Sequence, residues 1–322
     1  MKGTKVWLLL ATGMMVVGIG LASIGTVLGG KWNMGFNLKE FSFTTGSDKI
    51  VEDTVKIESF DKLKVDLSTI DIFIRTGKEY SVFYRVPEDS VPDIECKNGT
   101  LKIEGKSKVS FFLFGGFTSD EDEYIIVTVP EGSENAFESD IETSTGDIKL
   151  ENGIYSYEKI TSSTGDISLT GVNNDDEWKI DTSTGYLNIK NCTMKSLDSK
   201  SSTGDVAISG SKIEKRYDAK LSTGDIQMDN TSMEKIQVKG STSDITFNNV
   251  QVDDIDFDVT TGDIKLLLDG KNEDYSIKLH TSTGDMNIDG IEYDGKNFES
   301  QKGSKNIKIE TSTGDITINY KN

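Results

Sequence analysis

Hydrophobic and polar residues alternate with period two around a recurring phrase, Ser-Thr-Gly-Asp followed by an aliphatic residue. Nine complete or degenerate copies place the Gly, or Ser243 in its stead, at positions 146, 165, 185, 204, 224, 243, 262, 284 and 314. The first six steps between copies are 19 or 20 residues, and the last two are 22 and 30. A fixed period in this range predicts a solenoid, in which each repeat is one coil.

The residues two and four positions after the Gly are apolar in every copy, as at Ile148 and Leu150, and those between are polar or small. This alternation predicts a half-buried strand. The position five before the Gly, such as Ile141, predicts a second strand. Thr-Gly is turn chemistry, and Asn or Gly six positions after the Gly predicts another bend. We therefore expect an all-β fold, a parallel β-solenoid with coils of about 19–20 residues.

An uncharged, mostly apolar run of 23 residues, Val6 to Leu28, lies near the N-terminus between Lys5 and Lys31. As a helix it would be about 34 Å long, enough to cross a bilayer. We expect residues 1–30 to be a single transmembrane anchor. The alternative is a cleaved signal peptide, whose apolar region is usually only about 7–15 residues long.

The remaining chain divides into three predicted segments. Residues 31–49 are rich in glycine and predict a linker, residues 50–140 a β region that caps the solenoid, and residues 141–322 the repeat solenoid itself. Lys62 to Ile74 resembles a coil without its Gly, so we expect it to be the first coil. A cap is expected because an open sheet edge invites aggregation.

Further strands are predicted at Tyr80–Val86, Leu101–Glu104 and Tyr124–Val129, with a turn at Asn98-Gly99. Residues 289–306 lengthen the last coil. We expect them either to protrude from one face or to cover the C-terminal end of the solenoid.

Phe111 to Phe117 is the most apolar stretch outside the membrane run. It is predicted to plug the cap, since most aromatic clusters are core. An exposed loop that touches a membrane or a partner is the alternative. The acidic residues 120–123 follow directly and argue against deep contact with anionic lipid.

Charge and composition exclude several functions. The net charge is −19 and the pI is about 4.5, so nucleic acid is not an expected partner. Cys96 and Cys192 are too far apart in sequence for a metal motif, and Cys192 is expected in the core. His280 is the only histidine and is expected on the surface. A zinc site and a histidine-dependent hydrolase are therefore not expected, and no cofactor is predicted.

The candidate chemistry is a row of aspartates at one position of the repeat. An Asp next to a Gly turn commonly accepts hydrogen bonds from backbone N–H groups and from hydroxyls, which is the structural role we expect. Cation binding is the alternative, because stacked carboxylates repel one another. The members of this row are Asp147, Asp166, Asp205, Asp225, Asp244, Asp263, Asp285 and Asp315.

These features resemble a bacterial β-strand-repeat family described as "putative adhesins", a membrane-anchored family of unknown function. The matching features are Lys2 and Lys5, the run Val6–Leu28, and the nine repeats. The resemblance covers nearly all of the chain from Ile50. It implies an N-terminus inside the cell, an extracytoplasmic C-terminal domain and a role at the cell surface, and it brings no catalytic residues.

We accordingly expect a non-enzymatic solenoid that binds, adheres or scaffolds at the cell envelope, with an envelope protein or a polysaccharide as partner. Two alternatives stay open at this point, a carbohydrate-active enzyme on a β-helix and a weak calcium-binding solenoid. An enzyme would break the repeat to build a unique acid-base pair. The breaks at Tyr186, Ser243 and residues 289–306 collect no such pair.

Overall fold

The computed structural model describes residues 34–37, 42–45, 49–105, 110–111, 123–131, 137–174 and 176–321. Within these ranges, no helix has the length and apolar character needed to cross a bilayer. The predicted anchor Val6–Leu28 and residues 112–117 of the aromatic stretch lie outside the described residues. The chain divides into two compact units.

The smaller unit contains a three-stranded sheet of β1 (Met34–Asn37), β2 (Ser42–Thr45) and β9 (Ser110–Phe111). β1 pairs antiparallel with both neighbours. β1 and β2 lie within residues 31–49, where the sequence predicts a linker. Each of them has only four residues, too few for period-two alternation to stand out.

The larger unit is built almost entirely of strands, in keeping with the predicted all-β class. One short 3-10 helix, Asn272–Asp274, interrupts it, and a second, Glu88–Ser90, lies mostly in the smaller unit. The strands of this unit are β3 (Ile50–Lys56), β4 (Lys62–Leu67), β5 (Asp71–Gly77), β6 (Ser81–Pro87), β7 (Asp93–Lys97), β8 (Thr100–Glu104), β10 (Tyr124–Pro130), β11 (Phe137–Thr143), β12 (Ile148–Thr164), β13 (Ile167–Asn174), β14 (Glu177–Thr184), β15 (Leu187–Lys190), β16 (Thr193–Thr203), β17 (Val206–Ser209), β18 (Lys212–Thr223), β19 (Ile226–Asp229), β20 (Ser232–Thr242), β21 (Ile245–Thr261), β22 (Ile264–Asp269), β23 (Tyr275–Thr283), β24 (Met286–Ile288), β25 (Ile291–Tyr293), β26 (Asn297–Ser300), β27 (Lys305–Thr313) and β28 (Ile316–Lys321).

The coils stack in parallel and in register. Ile167 on β13 pairs with Ile148 on β12 and with Leu187 on β15. The same pairing continues through β17, β19, β21 and β22. This is the coil-on-coil stacking that the repeat predicts, and we name each coil by the number of its turn residue, so that coil 165 turns at Gly165.

The predicted inward positions are buried in all nine coils. Side chains five before and two and four after the turn residue are at most 4 % exposed. In coils 165 to 243 the residue after the second bend is buried as well, and Cys192 takes the same place there as Val172 and Val250. The inward residues are Ile141, Ile148, Leu150, Ile160, Ile167, Leu169, Ile180, Leu187, Ile189, Ser199, Val206, Ile208, Ala219, Ile226, Met228, Val238, Ile245, Phe247, Phe257, Ile264, Leu266, Leu279, Met286, Ile288, Ile309, Ile316 and Ile318.

The second bend uses left-handed backbone, as predicted from its Asn and Gly residues. Asn191 and Asn230 have φ of 53° and 48°, and Gly210, in the coil between them, has φ of 57°. Asn tolerates this region better than most residues, and Gly has no Cβ to clash. The Asn249 amide also donates to the Asn230 amide oxygen at 2.7 Å, which joins two adjacent coils at the bend.

The first coil precedes the Gly-containing repeats, as predicted for Lys62–Ile74. β4 and β5 flank a turn at Ile70, and Ile72 pairs with Ile148. On their other edges β4 pairs with β8 and β5 with β10, both in parallel. β7 and β6 then add antiparallel to β8 and β10. The strands between residues 50 and 130 therefore cover the outer edge of this coil.

The stacking order departs from chain order at the C-terminal end. Coil 314 lies directly against coil 262, because β27 pairs with β21 and β28 with β22. Coil 284, which comes earlier in the chain, lies on the far side of coil 314. Our expectation that successive coils are always neighbours is wrong here.

The long spacing between Gly284 and Gly314 explains how coil 314 comes to lie between coils 262 and 284. β25 and β26 fold back antiparallel on β24 and β23 and cover the outer edge of coil 284. The 30 residues between Gly284 and Gly314 are thus enough for the chain to cover the outer edge of coil 284 and then form coil 314 on its inner side. Of the two alternatives for residues 289–306, the structure shows the cover.

Candidate functional site: the turn face

The Gly of the turn is required by a close approach between coils. A Cβ on Gly224, where φ is 142°, would lie 2.2 Å from the carbonyl oxygen of Gly204 in the previous coil. Real Cβ atoms do not approach a backbone oxygen so closely, and L residues avoid this φ. Where the turn backbone has this positive φ, the coils can therefore stack at the spacing of a parallel sheet only if the turn residue has no side chain.

Coil 243 solves the same problem differently. Ser243 stands in the turn, its side chain is 1 % exposed, and its hydroxyl has no hydrogen-bond partner. Gly240 lies three residues earlier, and a Cβ there would lie 2.9 Å from the Ser243 hydroxyl oxygen. The missing Gly of the turn is thus balanced by a Gly that makes room for the serine.

The aspartates after the turn form a row of hydrogen bonds from coil to coil, which we call the Asp row and which is broken only between Tyr186 and Asp205. In each bond the backbone N–H of one member donates to the carboxylate of the member in the adjacent coil. From donor to acceptor the pairs are Asp147 to Asp71, Asp166 to Asp147, Tyr186 to Asp166, Asp225 to Asp205, Asp244 to Asp225, Asp263 to Asp244, Asp315 to Asp263 and Asp285 to Asp315, with distances of 2.7–3.0 Å.

The predicted bond from a backbone N–H to the aspartate is confirmed, but the donor belongs to the neighbouring coil. The row also includes Asp71, which we did not count among its members. Asp71 could have been found in Ser68-Thr69-Ile70-Asp71-Ile72, which is the repeated phrase with Ile70 in place of Gly. The row therefore stitches coils together along one edge of the solenoid.

The hydrogen bonds of the Asp row change the pKa of one of its members, Asp263. The N–H of Asp315 lowers the pKa of the Asp263 carboxyl, and Lys265, whose Nζ is 3.3 Å from the other oxygen, adds to this effect. Within the described ranges, no three or more His, Cys, Asp or Glu side chains converge closely enough to hold a metal ion. Calcium binding by the Asp row stays an untested alternative to the structural role.

Two exposed hydroxyls precede the Gly in every coil and line the same edge. Neighbouring Thr residues pair in register, as Thr203 does with Thr223, at the spacing of about 4.8 Å set by parallel strands. We call these hydroxyls and the Asp row the turn face. The exposed hydroxyl residues are Ser144, Thr145, Ser163, Thr164, Ser183, Thr184, Ser202, Thr203, Ser222, Thr223, Ser241, Thr242, Thr260, Thr261, Ser282, Thr283, Ser312 and Thr313.

Tyr186 interrupts the Asp row. Its N–H donates to Asp166 at 2.8 Å, but it has no carboxylate to accept from the N–H of Asp205. Its side chain is 39 % exposed. Partial burial, together with the negative charges of Asp205, Asp166 and Asp229, raises the pKa of the Tyr186 phenol. The phenol therefore stays neutral and lies among carboxylates.

The interior contains a polar cluster that our sequence reasoning missed. Glu158 is fully buried, neither carboxylate oxygen has a hydrogen-bond partner, and burial raises its pKa well above the ordinary value. Its register neighbours are Ser139 and Trp178, whose polar atoms are also unpartnered. A signal was present, because all three lie seven residues before the turn residue, where the later coils carry Leu, Tyr or Ile.

The remaining candidate groups are engaged locally. Cys96 and Cys192 are free thiols, and Cys192 is buried as predicted, which raises its pKa. His280 is half-buried on the outward side of β23, with Nδ1 2.9 Å from the Asn297 amide oxygen. Cys192 therefore has a place in the core, and His280 has a local hydrogen-bond partner.

Coils stacked in parallel around an apolar core define the class of this protein as a β-solenoid-like repeat fold. A family model, Toastrack DUF4097, matches residues 60–319, and the chain belongs to this family. No curated protein matches it.

Solved structures show similarity at low identity. A "putative adhesin" from Bacteroides fragilis is 10 % identical with a TM-score of 0.48, over 85 % of this chain and 98 % of that one. A "putative lipid binding protein" from Parabacteroides distasonis is 12 % identical with a TM-score of 0.45, over 86 % and 98 %. A "putative cell adhesion protein" from Clostridium sporogenes is 16 % identical with a TM-score of 0.21, over 85 % and 100 %.

Proposed function

We propose that this protein is a non-catalytic binding or scaffolding protein of the cell envelope. In this proposal Val6–Leu28 anchors the chain in the membrane and the solenoid lies outside the cytoplasm. The turn face is the surface that meets an envelope polysaccharide or protein.

The observation that supports this proposal is the repetition of one surface. An enzyme needs a few unlike groups placed together at one position, such as a paired acid and base. The turn face instead offers the same hydroxyls and carboxylate coil after coil, and most carboxylates of the Asp row accept a backbone hydrogen bond from the next coil. Such a surface suits contact along an extended partner.

The proposed location rests on the sequence of the first 31 residues. The apolar run is longer than the core of a signal peptide and has lysines on both sides. The full-length protein is therefore expected in the membrane pellet after carbonate or high-salt washing. A mature chain that begins near residue 25 would contradict the anchor.

Photo-crosslinking in intact cells tests the role of the turn face. A crosslinkable residue replaces Thr223, which is exposed on the turn face, or Gln251, which is exposed two residues beyond the second bend at Asn249. We expect envelope material to be captured from Thr223 and much less from Gln251. Equal capture, or none, would overturn the proposed role of the turn face.

A further inference from the structure

Tyr186 stands at a position of the repeat where the other eight coils carry an aspartate. It occupies the Asp row, and of the large hydrophobic side chains in the described ranges only Tyr186 and Ile291 are exposed. With tyrosine at this position there is no carboxylate to accept the N–H of Asp205, so one hydrogen bond between coils is lost. A partly exposed ring that takes the place of a structural bond offers an apolar face, with a polar hydroxyl at its tip, to a molecule outside the chain.

The side chains around the ring are carboxylates and short side chains. Along the row Tyr186 lies between Asp166 and Asp205. On the same outward face, two residues further along the strands, the side chains in adjacent coils are Ser168, Asn188 and Ala207, which pair in register. None of these short side chains is long enough to cover the ring, so an open platform is left with hydrogen-bonding groups around it.

We propose that Tyr186 and its polar neighbours bind a neutral polysaccharide, with the phenol ring stacked on the face of one sugar. A sugar ring has an apolar C–H face and a rim of hydroxyls. An exposed aromatic ring matches the face, and the carboxylates of Asp166 and Asp205, with the Asn188 amide, can accept or donate at the rim. This inference rests on the proposed function and names its ligand class.

The charges near the ring select among polymers. Asp166, Asp205 and Asp229 lie close enough to the phenol to raise its pKa, so a polyanion would be repelled. A cationic group would be attracted to the same carboxylates, but recognition by aromatic rings usually uses a cage of several. Only one exposed ring is present here among the described residues, which favours an uncharged sugar.

The chain offers a matched variant for the test. Tyr186→Asp removes the ring and restores the Asp row, so it should fold at least as well as the natural chain. Tyr186→Phe keeps the ring and loses only the hydroxyl. Full-length protein in mild detergent is mixed with insoluble chitin, cellulose and purified peptidoglycan sacculi, and the bound fraction and melting temperature are measured.

We expect retention of the natural chain and of Tyr186→Phe on at least one of these polymers, and retention at least about tenfold weaker for Tyr186→Asp. Retention should persist at high salt, because stacking on a neutral sugar is not screened. Equal retention of Tyr186→Asp would overturn the inference, as would retention that disappears with salt.

The two proposals fail separately. If the natural chain is retained on no polysaccharide while Thr223 still crosslinks to envelope material, the sugar site is overturned and the proposed function stands. If Thr223 also captures nothing, both are overturned.

Discussion

The first Gly-containing coils, Phe137–Thr184, and the middle coils, Thr193–Thr261, have the same backbone arrangement but bury different side chains. Both stack in register and both use the same turn and Asp row. Seven residues before the turn, however, the first coils bury Glu158 without a partner, whereas the middle coils bury Tyr217 with its hydroxyl 2.9 Å from Ser199 Oγ.

This difference separates what defines the fold from what fills it. The strands pair through backbone groups and stack through glycines, so the coil tolerates either interior. The energetic cost differs, because a buried polar group with a partner is close to neutral and one without a partner costs about 1–3 kcal/mol. Packing between aromatic rings offsets part of this cost in the first coils. The ring centroids of Phe137 and Tyr155 lie 5.0 Å apart, and those of Tyr155 and Trp178 lie 6.0 Å apart.

Substitution of the turn glycine should give the largest loss of stability, and the loss should be the same in both regions. Gly165→Ala and Gly224→Ala each place a Cβ within 2.4 Å of a carbonyl oxygen of the previous coil, at φ of 154° and 142°. Strain and overpacking together should cost about 2–6 kcal/mol, measured by chemical denaturation. Ser243→Ala is the control, because a Cβ is already accommodated there, and it should change stability little or raise it. A mild effect of both Gly variants would show that the coils can separate at the turn.

Truncation of the inward side chains should give the next largest loss of stability, and this loss should also be the same in both regions. Leu169→Ala and its equivalent in the middle coils, Ile208→Ala, each truncate a fully buried side chain. Each should lose about 2–5 kcal/mol, while the outward Ser168→Ala should change little. Equal losses for Leu169 and Ser168 would mean that the inward register is wrong.

The sequence predicts the glycine turn and the inward apolar positions because both repeat in each coil. The turn phrase and the period-two columns are local patterns, and they located every coil. The hydrogen bonds between coils along the Asp row and the insertion of coil 314 depend on which coils are neighbours, which local patterns do not encode. Glu158 was within reach, since a charge stands in a mostly apolar column, but we followed only the columns nearest the Gly.

Glu158 should distinguish the two regions by pH. Because its pKa is raised in the folded state, the unfolded chain releases this proton first as pH rises above the ordinary value of 4.5. This contribution to stability is therefore complete below pH 4.5 and is lost toward the folded pKa, by up to about 1.4 kcal/mol per pH unit. Glu158→Gln should lack this loss, seen as a difference from the natural chain in denaturation at pH 5 and pH 8.

The location of the effect is a second readout. Glu158→Leu, the residue at the equivalent position 197, should raise stability at pH 8 by about 1–3 kcal/mol by removing unpartnered oxygens. In the natural chain, hydrogen exchange should speed up from pH 5 to pH 8, beyond its intrinsic pH dependence, in β12 and β14 but not in β18 and β20. A matching increase in the middle coils would assign the pH dependence to groups other than Glu158.

The Asp row should give the smallest effect and tests whether its role is structural in the middle coils. Asp225 accepts the N–H of Asp244 at 2.9 Å, and its own N–H donates to Asp205 at 2.9 Å. Asp225→Asn keeps an acceptor oxygen and should cost less than about 1 kcal/mol, whereas Asp225→Leu should cost more because the N–H of Asp244 loses its acceptor. Both variants should melt at the same temperature with millimolar calcium as with chelator. If the row instead holds calcium, the natural chain would melt many degrees higher with calcium, and Asp225→Asn would lose that shift. We expect no such shift, because each bonded carboxylate already has one oxygen committed to a backbone N–H and because Tyr186 interrupts the row while the coils on both sides keep their register.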